Sequence, residues 1–169
     1  MLSRILNVYY KIKYLYFTDR RVNIDKSAFI HHGATFIIRD NSQASIEIAS
    51  GVYIGRYANI HTNSKIVIGE NSVLSDYVFL STLAHGMAPS AGPILSQKDI
   101  DKGEIVLKDN VFLGFGAKVL PGVVLGSWTI VGTGAVVTKS FPDGFVMIAG
   151  NPARIIKHYN KNTGEWVAP

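Results

Sequence analysis

The chain of 169 residues contains no cysteine. That excludes disulfides and any thiolate-ligated metal. No apolar run approaches the ~20 residues of a transmembrane helix. The opening stretch, Met1 to Phe17, is interrupted by Tyr and Lys and is followed by no small-residue cleavage site, so it does not read as a signal peptide. Acidic side chains are the minority, 12 against 17 Lys and Arg, for a formal charge of +5. This balance suits an anionic partner such as a phosphate, an acidic glycan or an anionic membrane face, and equally an ordinary solvated surface. The length allows one domain and a small appendage, and 47% hydrophobic residues are ample for one core.

What the chain does have is a spacing of six. Leu107, Leu113, Val119, Leu125, Val131 and Val137 follow one another at that interval without a break. Val111, Ala117, Val123, Thr129 and Ala135 stand four residues after the first five, all small or β-branched. Gly114, Gly126 and Gly132 directly follow three of the aliphatic positions. An α-helix cannot carry this period, because 3.6 does not divide six; short strands broken by regular corners can. Ile24, Ile30 and Phe36 begin the pattern, Ile54, Ile60 and Ile66 repeat it, and Ile68, Leu74 and Leu80 continue it after a two-residue shift. A slightly longer corner would produce that shift, and the stretch from Asp40 to Ala49 is the least regular. Hexapeptide repeats predict a parallel β-helix. Three faces make a triangular coil of about 18 residues, and coils stack at the strand spacing of about 4.8 Å. The aliphatic residue points inward, and its small companion fills the tight corner.

The pattern stops after Leu80 and resumes at Ile105. Residues 81–104 form a loop, and a loop this long in a compact repeat protein is usually functional. It contains Ala84-His85-Gly86. His85 stands where the regular coil gives way to the loop, and histidine is the side chain best suited to act as a general base near neutrality. His31, His32, His61 and His158 read as structural or surface residues. Before the repeats, Leu2, Ile5, Leu6, Tyr9, Ile12, Leu15 and Tyr16 share one helical face beside Arg4, Lys11 and Lys13. This predicts a helix over 1–22, read first as a cap on the open end of the β-helix and second as a membrane-surface helix. After the repeats, Asn151-Pro152 stops the coil, and residues 153–159 read as a short helix within a C-terminal segment 149–169.

The repeats, the loop with its Ala-His-Gly motif, the run Gly132-Thr-Gly-Ala-Val-Val-Thr-Lys139 and the ending Ala149-Gly-Asn-Pro-Ala-Arg154 resemble the hexapeptide-repeat acyltransferases. The nearest branch is that of the maltose, galactoside and bacterial surface-polysaccharide O-acetyltransferases, and the resemblance covers roughly residues 24–157. It implies an all-β fold, a left-handed parallel β-helix over 23–148. It implies a homotrimer with active sites between subunits, acetyl-coenzyme A as cosubstrate and no metal. His85 matches the family's catalytic histidine, and Asn59 matches an active-site asparagine of an earlier coil. Gly116, Ala117, Gly134 and Ala135 would let coenzyme A approach, with Lys139 and Arg154 meeting its phosphates. Phe112 stands where family members often carry Trp, and the carboxylate that sometimes orients the histidine has no evident counterpart. The expected acceptor is a sugar hydroxyl of a surface polysaccharide, lipid-linked in one version, with an amino sugar as the alternative. No nucleic acid is expected. The site of action is the cytoplasm, with peripheral contact at the inner membrane face as the extended version. Two rival readings are a zinc-dependent hydratase of the same fold, which would need three histidines, and a non-catalytic β-helix scaffold.

Overall fold

The computed structural model describes residues 19–39 and 41–169. All strands but the last two pair in parallel within three sheets, one for each face of a prism. The first face stacks β1 (Val22–Ile24), β4 (Ser45–Ile48), β7 (Lys65–Ile68), β10 (Ile105–Leu107) and β13 (Val124–Leu125). The second stacks β2 (Phe29–Ile30), β5 (Tyr53–Ile54), β8 (Val73–Leu74), β11 (Phe112–Leu113), β14 (Ile130–Val131) and β16 (Val146–Ala149). The third stacks β3 (Thr35–Ile38), β6 (Asn59–Thr62), β9 (Phe79–Ser81), β12 (Lys118–Val119) and β15 (Val136–Val137). The chain visits the faces in turn, and each strand pairs in parallel with the one a full coil later. This is the parallel β-helix expected from the repeats, in keeping with the left-handed form that the family resemblance implies.

The register shows why the period is six. Ile30, Ile54, Leu74, Leu113, Val131 and Ile148 form one vertical stack, each paired with the next. All but Ile30 are fully buried, and each such side chain contributes roughly 1.5–3 kcal/mol by leaving water. The companions Val111, Ala117, Val123, Thr129 and Ala135 are sealed in the corners, at most 1% exposed. The two-residue shift between Ile66 and Ile68 has a different origin from a longer corner. Both point inward from β7, whose four residues give two inward rungs. Ile46 and Ile48 do the same on β4, so the irregular stretch before Ala49 is a regular coil with a longer strand.

The expected N-terminal helix over 1–22 lies outside the described residues except for its last few, and β1 already begins at Val22. The expected C-terminal helix is not formed. Residues 154–160 are instead strand β17 (Arg154–Asn160), antiparallel to β16 and followed by β18 (Glu165–Val167). The outer edge of β16 would otherwise present unpaired backbone groups, and the returning hairpin satisfies them. Gly164, at φ +71°, supports the turn between the two strands.

Candidate active site

The 81–104 loop leaves the third face through a buried polar anchor. The Thr82 hydroxyl donates to Asn63 Oδ1 at 3.0 Å and lies 2.8 Å from the Thr62 hydroxyl. Asn63 N–H donates back to Thr82 Oγ1 at 3.0 Å. All three residues are buried, so the loop's root is fixed to the core of the coil.

Beyond the root, the two arms of the loop pair. Ile100 N–H donates to Ala84 O at 2.7 Å and Gly86 N–H to Lys98 O at 3.0 Å, which places His85 opposite Asp99 in an antiparallel bridge. Gly86 eases this approach, because a Cβ there would crowd Gln97 Cβ at 3.0 Å and Lys98 O at 3.1 Å. The Gln97 amide ties the tip together, accepting from Ala88 N–H and donating to Ala88 O and Gly92 O. The loop is therefore a braced hairpin of two short 3-10 turns, 89–91 and 94–96.

Its product is a His–Asp pair. His85 Nδ1 lies 3.0 Å from Asp99 Oδ1, with both side chains partly open to solvent. A carboxylate can only accept, so an Nδ1–H facing Asp99 leaves Nε2 for another partner. A histidine oriented by a carboxylate in this way is suited to a general-base role. Asp99 is a residue the sequence did not reveal. It sits fourteen positions from its partner, among Lys98 and Asp101, and only the pairing of the loop arms identifies it. A cleft of about 420 Å³ beside it is lined by Arg39, Asn41, Asn63, Asp99 and Asp101.

Asn59 stands elsewhere on the third face. Its Oδ1 accepts from Thr35 Oγ1 at 2.9 Å and its Nδ2 donates to Tyr57 O at 2.8 Å. One Nδ2 hydrogen is left for another acceptor. His61 faces outward two residues on, against the Phe79 ring and 3.4 Å from Thr35 Oγ1. Burial first, and Arg39 second, hold its imidazole below the ordinary value of 6.5. Among the described residues no hydrogen bond joins Asn59 to His85 within one protomer.

The corner between the second and third faces changes character along the prism. Its left-handed positions are Gly33, Tyr57, Tyr77, Gly116 and Gly134, all at positive φ. In the early coils Tyr57 and Tyr77 stack with ring centroids 5.2 Å apart, and Tyr77 meets Phe115 at 5.3 Å. In the later coils Gly116 and Gly134 leave the corner bare, and a Cβ added to either would meet nothing within 4 Å. A flat polar chain could lie there against exposed backbone. The neighbouring Ala117 and Ala135 have buried side chains, so at those two positions only the adjoining backbone borders the lane. Lys139 is exposed near the last coil, its ammonium 5.5 Å from the Phe141 ring centroid. Arg154 opens β17, exposed, with Nη1 donating to Ala153 O at 2.9 Å. Among the described residues no group of three His, Asp or Glu side chains could hold a metal ion, and no helix is long and apolar enough to cross a membrane.

Residues 104–139 match the family model "Bacterial transferase hexapeptide (six repeats)". The chain is 32% identical over 127 residues to the putative lipopolysaccharide biosynthesis O-acetyl transferase WbbJ of Escherichia coli K12, covering 72% of this chain and 64% of that protein. The chain thus spans somewhat under two thirds of that relative. In fold it resembles AntD, an N-acyltransferase from Bacillus cereus solved with a nucleotide-linked amino sugar and coenzyme A. The TM-score is 0.65 at 19% identity, over 92% of this chain and 90% of that one. It also resembles a galactoside acetyltransferase solved with coenzyme A, with a TM-score of 0.54 at 23% identity, over 82% of this chain and 70% of that one.

Proposed function

Because the chain belongs to the bacterial hexapeptide-repeat transferases, we propose that it transfers an acetyl group from acetyl-coenzyme A to a sugar hydroxyl of a surface polysaccharide, with His85 as the base. The observation that carries the reading is the His85–Asp99 pair at 3.0 Å, braced at the mouth of the only long loop among the described residues. A sugar hydroxyl is too weak an acid to attack a thioester unaided at neutral pH. His85 Nε2 takes its proton as the oxygen attacks the thioester carbonyl, and Asp99 holds the ring in place. The resulting oxyanion needs a preformed N–H donor, and the spare Nδ2 hydrogen of Asn59 is one candidate. The imidazolium then returns the proton to the departing thiolate. No covalent enzyme intermediate is needed.

The donor lies along the Gly116–Gly134 corner, where the absence of a Cβ admits a pantetheine arm against the backbone. Lys139 and Arg154 meet its phosphates. No hydrogen bond joins Asn59 to His85 within one protomer, and in a homotrimer the complete site takes Asn59 from one subunit and His85 from its neighbour. The relative named for lipopolysaccharide biosynthesis supports the glycan acceptor. Incubation with acetyl-coenzyme A and matched hydroxyl-only and amino-sugar acceptors, followed by mass spectrometry, tests the reading. Acetylated hydroxyl-only acceptor is the expected product; acetylation confined to the amine would replace the hydroxyl with an amino sugar as the substrate class.

A further inference from the structure

A second edge of the prism carries a cavity unrelated to the loop. The corner between the first and second faces also uses left-handed positions: Gly51, Asn71, Asn110, Trp128 and Phe145. They form one ladder, each backbone N–H donating to the coil before: Asn71 to Ser50, Asn110 to Glu70, Trp128 to Asp109 and Phe145 to Ser127. Glycine and asparagine tolerate this conformation, whereas a bulky aromatic is strained in it. The ladder thus holds tolerant residues in the early coils and two strained aromatics in the last two. The C-terminal hairpin meets them there. Tyr159 N–H donates to Phe145 O at 2.9 Å, and Tyr159 and Trp166 are cross-strand partners. Trp128, Phe145, Tyr159 and Trp166 together line a cavity of about 340 Å³.

We infer that this cavity is a saccharide-binding site, separate from the site of acetyl transfer and not dependent on it. The ring arrangement selects the ligand. Phe145 and Tyr159 are inclined at 30° with centroids 6.2 Å apart, and Tyr159 and Trp166 at 61° with centroids 5.3 Å apart. At these angles there is no parallel slot for a planar base between Phe145 and Tyr159 or between Tyr159 and Trp166. They offer a faceted apolar floor. The ammonium of Lys161 already sits 4.1 Å over the Phe145 ring, which disfavours a cationic ligand at that face. Lys161, the Tyr159 hydroxyl and the indole N–H groups supply polar donors beside the rings. An apolar floor with a rim of donors fits a pyranose, which has a C–H face and a rim of hydroxyls, and the lysine favours an acidic sugar.

The protein's two tryptophans are both in this cavity, so emission excited selectively from tryptophan reports on it alone. The full-length protein, without acetyl-coenzyme A, is titrated with maltohexaose and with a hyaluronan hexasaccharide. A saturable emission change with either sugar is expected. Trp166→Ala should weaken it roughly tenfold or more, the loss of one aromatic anchor, while Trp166→Phe largely retains it, read through Trp128. Because no turnover is involved, failure here and failure of the acetyl-transfer reading are distinguishable. No saturable change with either sugar would overturn the inference. So would a response to AMP or tetramethylammonium in place of sugar. So would loss of the oligomer in Trp166→Phe or Trp166→Ala by sedimentation, which would make the cavity a contact between copies of this chain.

Discussion

Replacing Asp99 by asparagine removes the charge that faces His85 and keeps the volume. A hydrogen bond to a charged partner is worth roughly 1.5–3 kcal/mol when sheltered. Here the imidazole is 53% exposed and the carboxylate 38%. Solvent screening brings such a pair to about 1 kcal/mol or less. That corresponds to about a fivefold loss in turnover, well short of the ~10²- to 10⁴-fold effect of a general base itself. The assay is steady-state release of coenzyme A thiol with a saccharide acceptor. Asp99→Asn should lower kcat by a few fold and leave KM for acetyl-coenzyme A unchanged, because Asp99 lies on the loop and not on the Gly116–Gly134 corner. Asp99→Glu, which restores the charge on a longer arm, should recover part of the loss. An unchanged kcat in a folded Asp99→Asn protein would refute the orienting role. A rise in KM with kcat intact would move Asp99 to substrate binding.

Lys139→Ala and Arg154→Ala should each weaken coenzyme A binding by calorimetry, and the wild-type affinity should fall as salt rises; unchanged affinity in both variants removes them from the site. Leu113→Ala empties one rung of the central stack and should cost about 3 kcal/mol, lowering Tm by roughly 6–12 °C in a thermal scan. Burial keeps the folded His61 imidazole below its ordinary value, so the unfolded chain binds the proton more readily. Stability should therefore fall as pH drops below about 6.5, until the folded-state value is passed. His61→Gln should flatten that slope in chemical denaturation, and an unaltered slope would contradict the assignment.

The coils were legible because the signal is local and repeated. Leu107 to Val137 stand at one interval, and each proves to be an inward rung, the first five with a sealed companion. The irregular stretch before Ala49 was harder because β4 and β7 carry two inward rungs, Ile46 with Ile48 and Ile66 with Ile68, which imitates a phase error. The C-terminal strand was misread as a helix. Residues 154–160 have no clean alternation of burial, and what makes them a strand is the open edge of β16, a tertiary demand absent from the local sequence. His85 could be singled out by its place at the break in the repeats. Asp99 could not, because its position opposite His85 depends on how the loop arms pair. The aromatic cavity was hidden for the same reason: Trp128 and Trp166 are far apart in sequence and meet through the hairpin.

The central claim is that His85 is the base for acetyl transfer. The most direct test compares wild type with His85→Ala in acetyl transfer to a saccharide, with coenzyme A binding measured in parallel by calorimetry. The account predicts a loss in kcat of about 10²-fold or more, with coenzyme A affinity little changed because His85 meets the donor only at its sulfur end while the Gly116–Gly134 corner, Lys139 and Arg154 hold the rest. Turnover near the wild-type rate in a His85→Ala protein that still binds coenzyme A would contradict it.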